Sequence, residues 1–438
     1  MEDDSQKISS NNRYIFGKFA IIFVTILTFA IIDIVFSIAA TYVSVSSNND
    51  LTLYLIIAVC YIGGRHLIFK YVKEITRNVK RGAINSLNQI IILFQYVITF
   101  AFSIIVIEIL LTSQYHTFIL QFAVITNLSI STLVIGILSF KFVMWYRLEK
   151  NFLLLTYSLA FASLAISFTF LLILNFIVLS ILPEIRNVQS SPSPFPFFDQ
   201  GILGLLQYYS AITNFMPSFI LWVGATLLLY HYSKKIGKIQ FGIIMSIPIV
   251  FFVFQPVVLG PSLADSSNLP FLIDILGNIL PGLIGGILVG IPFFFVAKSM
   301  NNNILRDHLT IAGFGFVILN IATSSGVPHA PYLPFGLSTV LLLSLGCYLI
   351  LISIYYTAIS ISANTIIRNN LRKSLNKESA LFNSIGMAQA YAEVELKVKE
   401  IAKTTANRFE QQIGVEPYIS HEDIQQHINE VLDELGKK

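Results

Sequence analysis

The chain has 438 residues, is 55% hydrophobic and only 12% charged, and its mean hydropathy is +0.73, whereas a soluble domain carries about 25% charged residues. That composition excludes an ordinary soluble enzyme and predicts an all-α, polytopic α-helical membrane protein. The net charge is only +4, and no stripe of Lys and Arg is interleaved with aromatics. A nucleic-acid groove is therefore excluded, and the lipid bilayer is the first partner.

Residues 1–18 are polar, and the apolar run 19–43 is too long for the roughly 7–15-residue core of a cleaved signal peptide, so it reads as a retained first span. A polar turn at 44–50 leads to span two, 51–69, and the loop 70–81 then carries five basic residues and one acidic one. Spans three and four fall at 87–111 and 118–140, Lys141, Arg147 and Lys150 mark a second basic loop, and span five follows at 151–182. Pro192, Pro194 and Pro196 preclude a regular helix in the next connection. Spans six to ten are predicted at 208–230, 241–259, 271–297, 308–323 and 335–355. With this spacing, 26 of the 28 Lys and Arg residues fall on one side of the bilayer, the exceptions being Arg65 and Arg186. Cytoplasmic segments hold that excess. The pattern predicts about ten spans in the cell membrane with both termini cytoplasmic: a segment 1–18, a bundle 19–367 with a 4+6 division near 150, and a tail 368–438.

No Pro or Gly stands between Gly346 and Gly386, which predicts one helix running from span ten into the tail. In the tail, Met387, Tyr391, Val394, Val398 and Ile401 recur at spacings of four and three, the pattern of a helix that pairs. Gly414-Val-Glu-Pro417 breaks it, and Ser420-His-Glu-Asp423 opens a second helix with Ile424, Ile428 and Leu432 on one face. The expected partner of these faces is a second copy of the chain or a cytoplasmic protein.

Asp33 lies near the middle of span one, where an ionisable group costs several kcal/mol unless it is paired, protonated or hydrated. It is the leading candidate for an ion or proton path; the plainer reading is a carboxyl that hydrogen-bonds a neighbouring hydroxyl. Arg65 and His66 sit about five residues before the end of span two, where a long side chain snorkels. A helix rise of 1.5 Å per residue sets them roughly 10 Å or more from the level of Asp33, so no direct pair is expected. Glu108 and Asp274 lie near the ends of spans three and eight, and His116 and His329 lie in loops. No HxH, HxxxH or HExxH spacing joins them, so neither a metal nor a cofactor is predicted. Gly282, Gly286 and Gly290 form a small-residue stripe between Pro281 and Pro292. Close helix packing is the first reading and a kinked transport helix the second. Cys60 and Cys347 both fall within spans and indicate no disulfide framework.

Several phrases carry a resemblance: Trp145-Tyr-Arg147, Pro196-Phe-Phe198, Gly224-Ala-Thr-Leu-Leu-Leu-Tyr-His-Tyr-Ser-Lys-Lys235, Ala330-Pro-Tyr-Leu-Pro-Phe-Gly-Leu337, Ala358-Ile-Ser-Ile-Ser362 and Ser384-Ile-Gly-Met-Ala-Gln389. From about Trp145 onward the chain resembles a family of multi-span membrane proteins of ammonia-oxidising archaea, and the resemblance implies no activity and no residue role. The layout is also similar to that of two-component membrane sensors, but kinase activity is not expected, since no ATP-binding domain is read in the sequence. The expected function is a sensor, receptor or assembly protein that passes conformation to a cytoplasmic partner through the last span and tail. A secondary transporter using Asp33 is the alternative, and a membrane-embedded enzyme, for which no catalytic set is found, is third.

Overall fold

A backbone in hydrocarbon has to satisfy its N–H and C=O groups within its own segment, so long apolar runs fold as helices. The computed structural model describes residues 2–42, 48–76, 82–181, 184–187, 202–230, 237–239, 241–243, 245–246, 271–300, 302–324, 332–364 and 380–413. The helices are α1 (Glu2–Tyr42), α2 (Asn48–Thr76), α3 (Gly82–Thr112), α4 (Thr117–Leu148), α5 (Phe152–Ile181), α6 (Ile202–Leu229), α7 (Phe271–Ser299), α8 (Asn303–Ser324), α9 (Leu337–Ala363) and α10 (Ala380–Ile413). Seven of them contain stretches long and apolar enough to cross a bilayer: Ala20–Ala40, Asn48–Thr76, Ser86–Thr112, Thr117–Leu148, Phe152–Ser180, Asn303–Thr323 and Leu337–Ala363. Shorter apolar stretches, Met216–Leu229 and Gly282–Lys298, lie in α6 and α7. The all-α, multi-pass membrane architecture is thus present. Most of span seven and everything past residue 413, including Ile424, Ile428 and Leu432, lie outside the described residues.

The outside of the bundle is apolar, as lipid requires: Leu111, Phe118, Phe140 and Phe152 are exposed. Its centre is α9. Packed by α1, α2, α3, α4, α8 and α10, its 27 residues are buried but for a few at its far end. A helix apolar on every side is one enclosed by protein or lipid, and here protein does the enclosing. One core cluster runs from Phe23 to Ala388.

The strands were not anticipated. β1 (Gln114–His116) and β2 (Ile185–Asn187) pair antiparallel with Tyr115 opposite Arg186, tying the α3–α4 connection to the chain beyond α5. The bundle thus has a strand end, where β1 and β2 lie, and a tail end, where α10 docks.

Glycine sets the spacing of α7, α8 and α9. A Cβ on Gly290 would stand 2.8 Å from the Gly313 carbonyl oxygen, and one on Gly286 3.1 Å from the Val317 backbone; Gly282 is buried on the same stripe. On the other side of α8, a Cβ on Gly346 would meet the Leu319 backbone nitrogen at 3.0 Å. Backbones this close are the small-residue packing of membrane helices. Gly290→Ala should therefore cost about 1–3 kcal/mol, since a backbone oxygen cannot rotate away. Gly136→Ala, which meets nothing within 4 Å, should be neutral in the same thermal-unfolding measurement.

The continuous span-to-tail helix is overturned. α9 ends at Ala363, Asn364 has extended backbone (φ −116°, ψ 103°), and the next described helix is α10, Ala380–Ile413. No proline or glycine marks the stop; the Ser362 hydroxyl lies 3.0 Å from the Ile359 carbonyl and 3.1 Å from Glu393 Oε1 of α10, and its one proton serves one at a time.

Candidate functional site

A series of buried polar contacts is arranged along α9, beginning at its first turn. Helix N-termini leave N–H groups without partners, and this one lies inside protein. Phe335, two residues before α9, packs between Phe36 of α1 and Tyr54 of α2, with ring centroids 5.2 and 5.4 Å away. Gly336 takes the left-handed backbone (φ 87°) that favours glycine. Asp33 caps this end from α1. Its Oδ1 accepts the Gly336 N–H at 2.8 Å, and its Oδ2 accepts the Thr339 N–H at 3.0 Å and the Ser338 hydroxyl. The Thr339 hydroxyl lies 3.0 Å from Oδ2 and 3.1 Å from the Ala30 carbonyl, so its one proton serves one at a time. Asp33 is fully buried, and its carboxyl oxygens meet the positive end of the α9 dipole.

Asp33 stands well inside the apolar part of α1. It is level with the start of α9, and α1 continues nine residues beyond it to Tyr42, roughly 14 Å by helix rise. The first turn of α9 is thus sunk within the bundle, out of reach of bulk water, which is why a side chain has to satisfy it. Beside it is a cavity of about 10 Å³ between α1, α2 and α9, lined by Ala30, Cys60, Tyr61, Ser338 and Leu342 among others, room for about one water.

Further along α9, Asn127 of α4 spans one turn of the helix: its Nδ2 donates to the Val340 carbonyl at 2.9 Å and its Oδ1 accepts the Ser344 N–H at 3.3 Å. The Ser344 hydroxyl donates to Gln95 Oε1 of α3 at 3.2 Å, and the Tyr348 hydroxyl to Asn88 Oδ1 at 2.7 Å. Near the tail end His308 of α8 is fully buried and stacks on Tyr356 at 5.7 Å, with neither ring nitrogen hydrogen-bonded. None of Asn127, Gln95 or His308 stands out in a single sequence. The signal available was polar side chains inside otherwise apolar spans.

At the tail end α10 docks through Leu381, Phe382, Ile385 and Ala388, all buried. A Cβ on Gly386 would run into the Ile361 side chain. Trp145 Nε1 of α4 donates to Gln389 Oε1 at 3.1 Å, and Asn151 Nδ2, just before α5, donates to Ser384 Oγ at 2.8 Å. The docked set is therefore offset from the stripe marked in the sequence: Met387, Tyr391, Val394 and Val398 are half-buried and Ile401 is exposed.

The other candidates separate. His66 is exposed, whereas Arg65 is buried at 1% exposure and does not snorkel; α2 extends to Thr76, which puts Arg65 well inside the helix. Arg65 bonds Tyr61, and Asp33 bonds α9, so the two do not pair. Glu108 does meet His116: Oε1 lies 2.9 Å from Nδ1 and Oε2 accepts the His116 N–H at 3.0 Å. Asp274 lies on α7, but its side chain and the whole of His329 are outside the described residues. Among the described residues no group of three His, Cys, Asp or Glu side chains is disposed to hold a metal ion. Arg186, the basic residue on the far side of the charge tally, is buried against Tyr115. Burial pushes the Tyr115 phenol up, partly offset by that guanidinium. Comparison with known proteins returns no match: no family model, no curated protein and no solved structure is similar to this chain.

Proposed function

We propose that this is a cell-membrane receptor or assembly protein in which α9 connects events at the strand end with the tail helix α10. The observation that carries the reading is the contact between α10 and the last turn of α9, through Gly386 against Ile361 and Ser362 with Glu393. The distal part of α10 still presents Leu396 and Ile401, 68% and 65% exposed, to a cytoplasmic protein or a second copy. A shift of α9 would move the docked half and with it the free half. Membership in the archaeal family named above is part of the same proposal and rests on the quoted phrases.

The test is the mass of the purified full chain in detergent micelles, measured by light scattering. Ile401→Asp combined with Leu396→Asp should reduce an oligomer to the monomer or release a co-purifying protein, while expression is unchanged. An unchanged mass and composition would remove the output surface from the proposal.

The reading includes about ten spans with both termini in the cytoplasm, supported by the distribution of Lys and Arg. In a Cys60→Ser background, a cysteine at Ser113 should react with an impermeant thiol reagent in intact cells. A cysteine at Glu149 should react only after the membrane is opened. The reverse pattern would invert the topology. A secondary transporter is the second reading, favoured by the two buried charges, Asp33 and Arg65, on neighbouring helices.

A further inference from the structure

Arg65 is a cation enclosed at mid-helix with one edge unused. It is residue 18 of the 29 in α2, and roughly 16 Å of helix separates it from Thr76. The rings of Tyr61 and Phe69 lie 5.4 and 5.8 Å from its guanidinium carbon, and Nη1 donates to the Tyr61 hydroxyl. Nε and Nη2 are buried without a partner. These two atoms are not an arbitrary pair. Their N–H bonds run parallel along one side of the guanidinium plane, the fork that grips both oxygens of a carboxylate or phosphate.

A second unsatisfied donor lies on the neighbouring helix α3. Gln95 of α3 is fully buried; its Oε1 is taken by Ser344, which leaves Nε2 as the free end, and Nε2 has no partner. α2 and α3 are held together on both sides of Arg65, by Tyr61 against Phe102 at 5.0 Å and by Phe69 against Tyr96 at 5.9 Å. Phe69 also packs on Tyr348 of α9 at 5.6 Å. Three donor nitrogens thus lack acceptors, and no carboxylate pairs with Arg65 among the described residues. A buried charge is strongly unfavourable without an opposite one, and ring contacts compensate only part of that. Tyr61 also walls the cavity beside Ser338, so a water-sized space lies one side chain away from the guanidinium.

We propose that the Nε–Nη2 edge of Arg65 is the binding site of a small oxyanion, the paired oxygens of a carboxylate or a phosphate, enclosed by α2, α3 and α9 with the Gln95 amide as the further donor. Such an anion comes either from solution or from a lipid headgroup. The test uses the full chain in a phosphate-free maltoside detergent, with unfolding followed by tryptophan fluorescence. Sodium acetate, sodium phosphate and phosphatidylglycerol are titrated separately, with sodium chloride holding the ionic strength constant. Acetate or phosphate should raise the unfolding temperature saturably. Arg65→Lys, which keeps the charge and loses the fork, should weaken half-saturation by about tenfold or more, and Gln95→Leu should weaken it by a smaller factor. A saturable rise with phosphatidylglycerol that Arg65→Lys loses assigns the same edge to a lipid phosphate. A flat response to all three titrants, or a response that Arg65→Lys retains in full, overturns the site. If Arg65→Lys does not fold, Gln95→Leu decides, and an unchanged half-saturation in that variant overturns the proposal.

Discussion

Asp33→Ala should destabilise the bundle by about 3–5 kcal/mol, the cost of leaving buried donors facing nothing. The Ser338 and Thr339 hydroxyls can turn elsewhere, Thr339 to the Ala30 carbonyl 3.1 Å away. The N–H groups of Gly336 and Thr339 are fixed by the backbone and cannot. Asp33→Asn separates shape from charge. Its single oxygen can take the place of Oδ2, where three of the four donors converge, but its NH₂ then faces the Gly336 N–H. A loss of about 1–3 kcal/mol is expected, one unsatisfied donor's worth. Thermal unfolding in detergent measures both variants. On the ion-path reading of Asp33 the Asn variant would instead keep full stability and lose an ion response. If Asp33→Asn unfolds like the wild type, the cap contributes little and the ion-path reading regains its main support. The coupling through α9 adds a second readout: amide hydrogen exchange in α10 should quicken in Asp33→Asn although the variant lies at the other end of the bundle.

Gly386→Leu should detach the tail helix. Even a methyl group at that position collides with Ile361, and a leucine adds three more carbons to an interface with no space for them. Undocking exposes Leu381, Phe382 and Ile385, each worth about 1.5–3 kcal/mol when buried. The chain supplies its own reporter. It has two tryptophans, and in a Trp222→Phe background the remaining one, Trp145, is buried and bonded to Gln389. Its emission should shift to the red in Gly386→Leu as water reaches the indole, while the spans stay inserted. Leu396→Ser, on the exposed part of α10, should leave the emission unchanged. A red shift with Leu396→Ser, or none with Gly386→Leu, would mean that the tail is not seated at Gly386.

The sequence by itself determined the class and most of the helices. Hydropathy decides whether a segment partitions into lipid, and a helix in lipid closes its own hydrogen bonds, so both properties are local and legible. The stripe of Gly286 and Gly290 was legible for the same reason, since absent side chains permit close backbones whatever the partner. What the sequence could not supply was the partner: Gly313 for Gly290, Leu319 for Gly346, the first turn of α9 for Asp33. A buried carboxyl looks the same in sequence whether it conducts an ion or caps a helix 303 residues later in the chain. Only the tertiary structure brings the donors to it. The tail shows the same division. Its periodicity marked a helix correctly, because periodicity is a property of the helix alone, yet the docked face is Leu381, Phe382, Ile385 and Ala388. Which face is covered depends on where α9 stops, and neither proline nor glycine signals that stop.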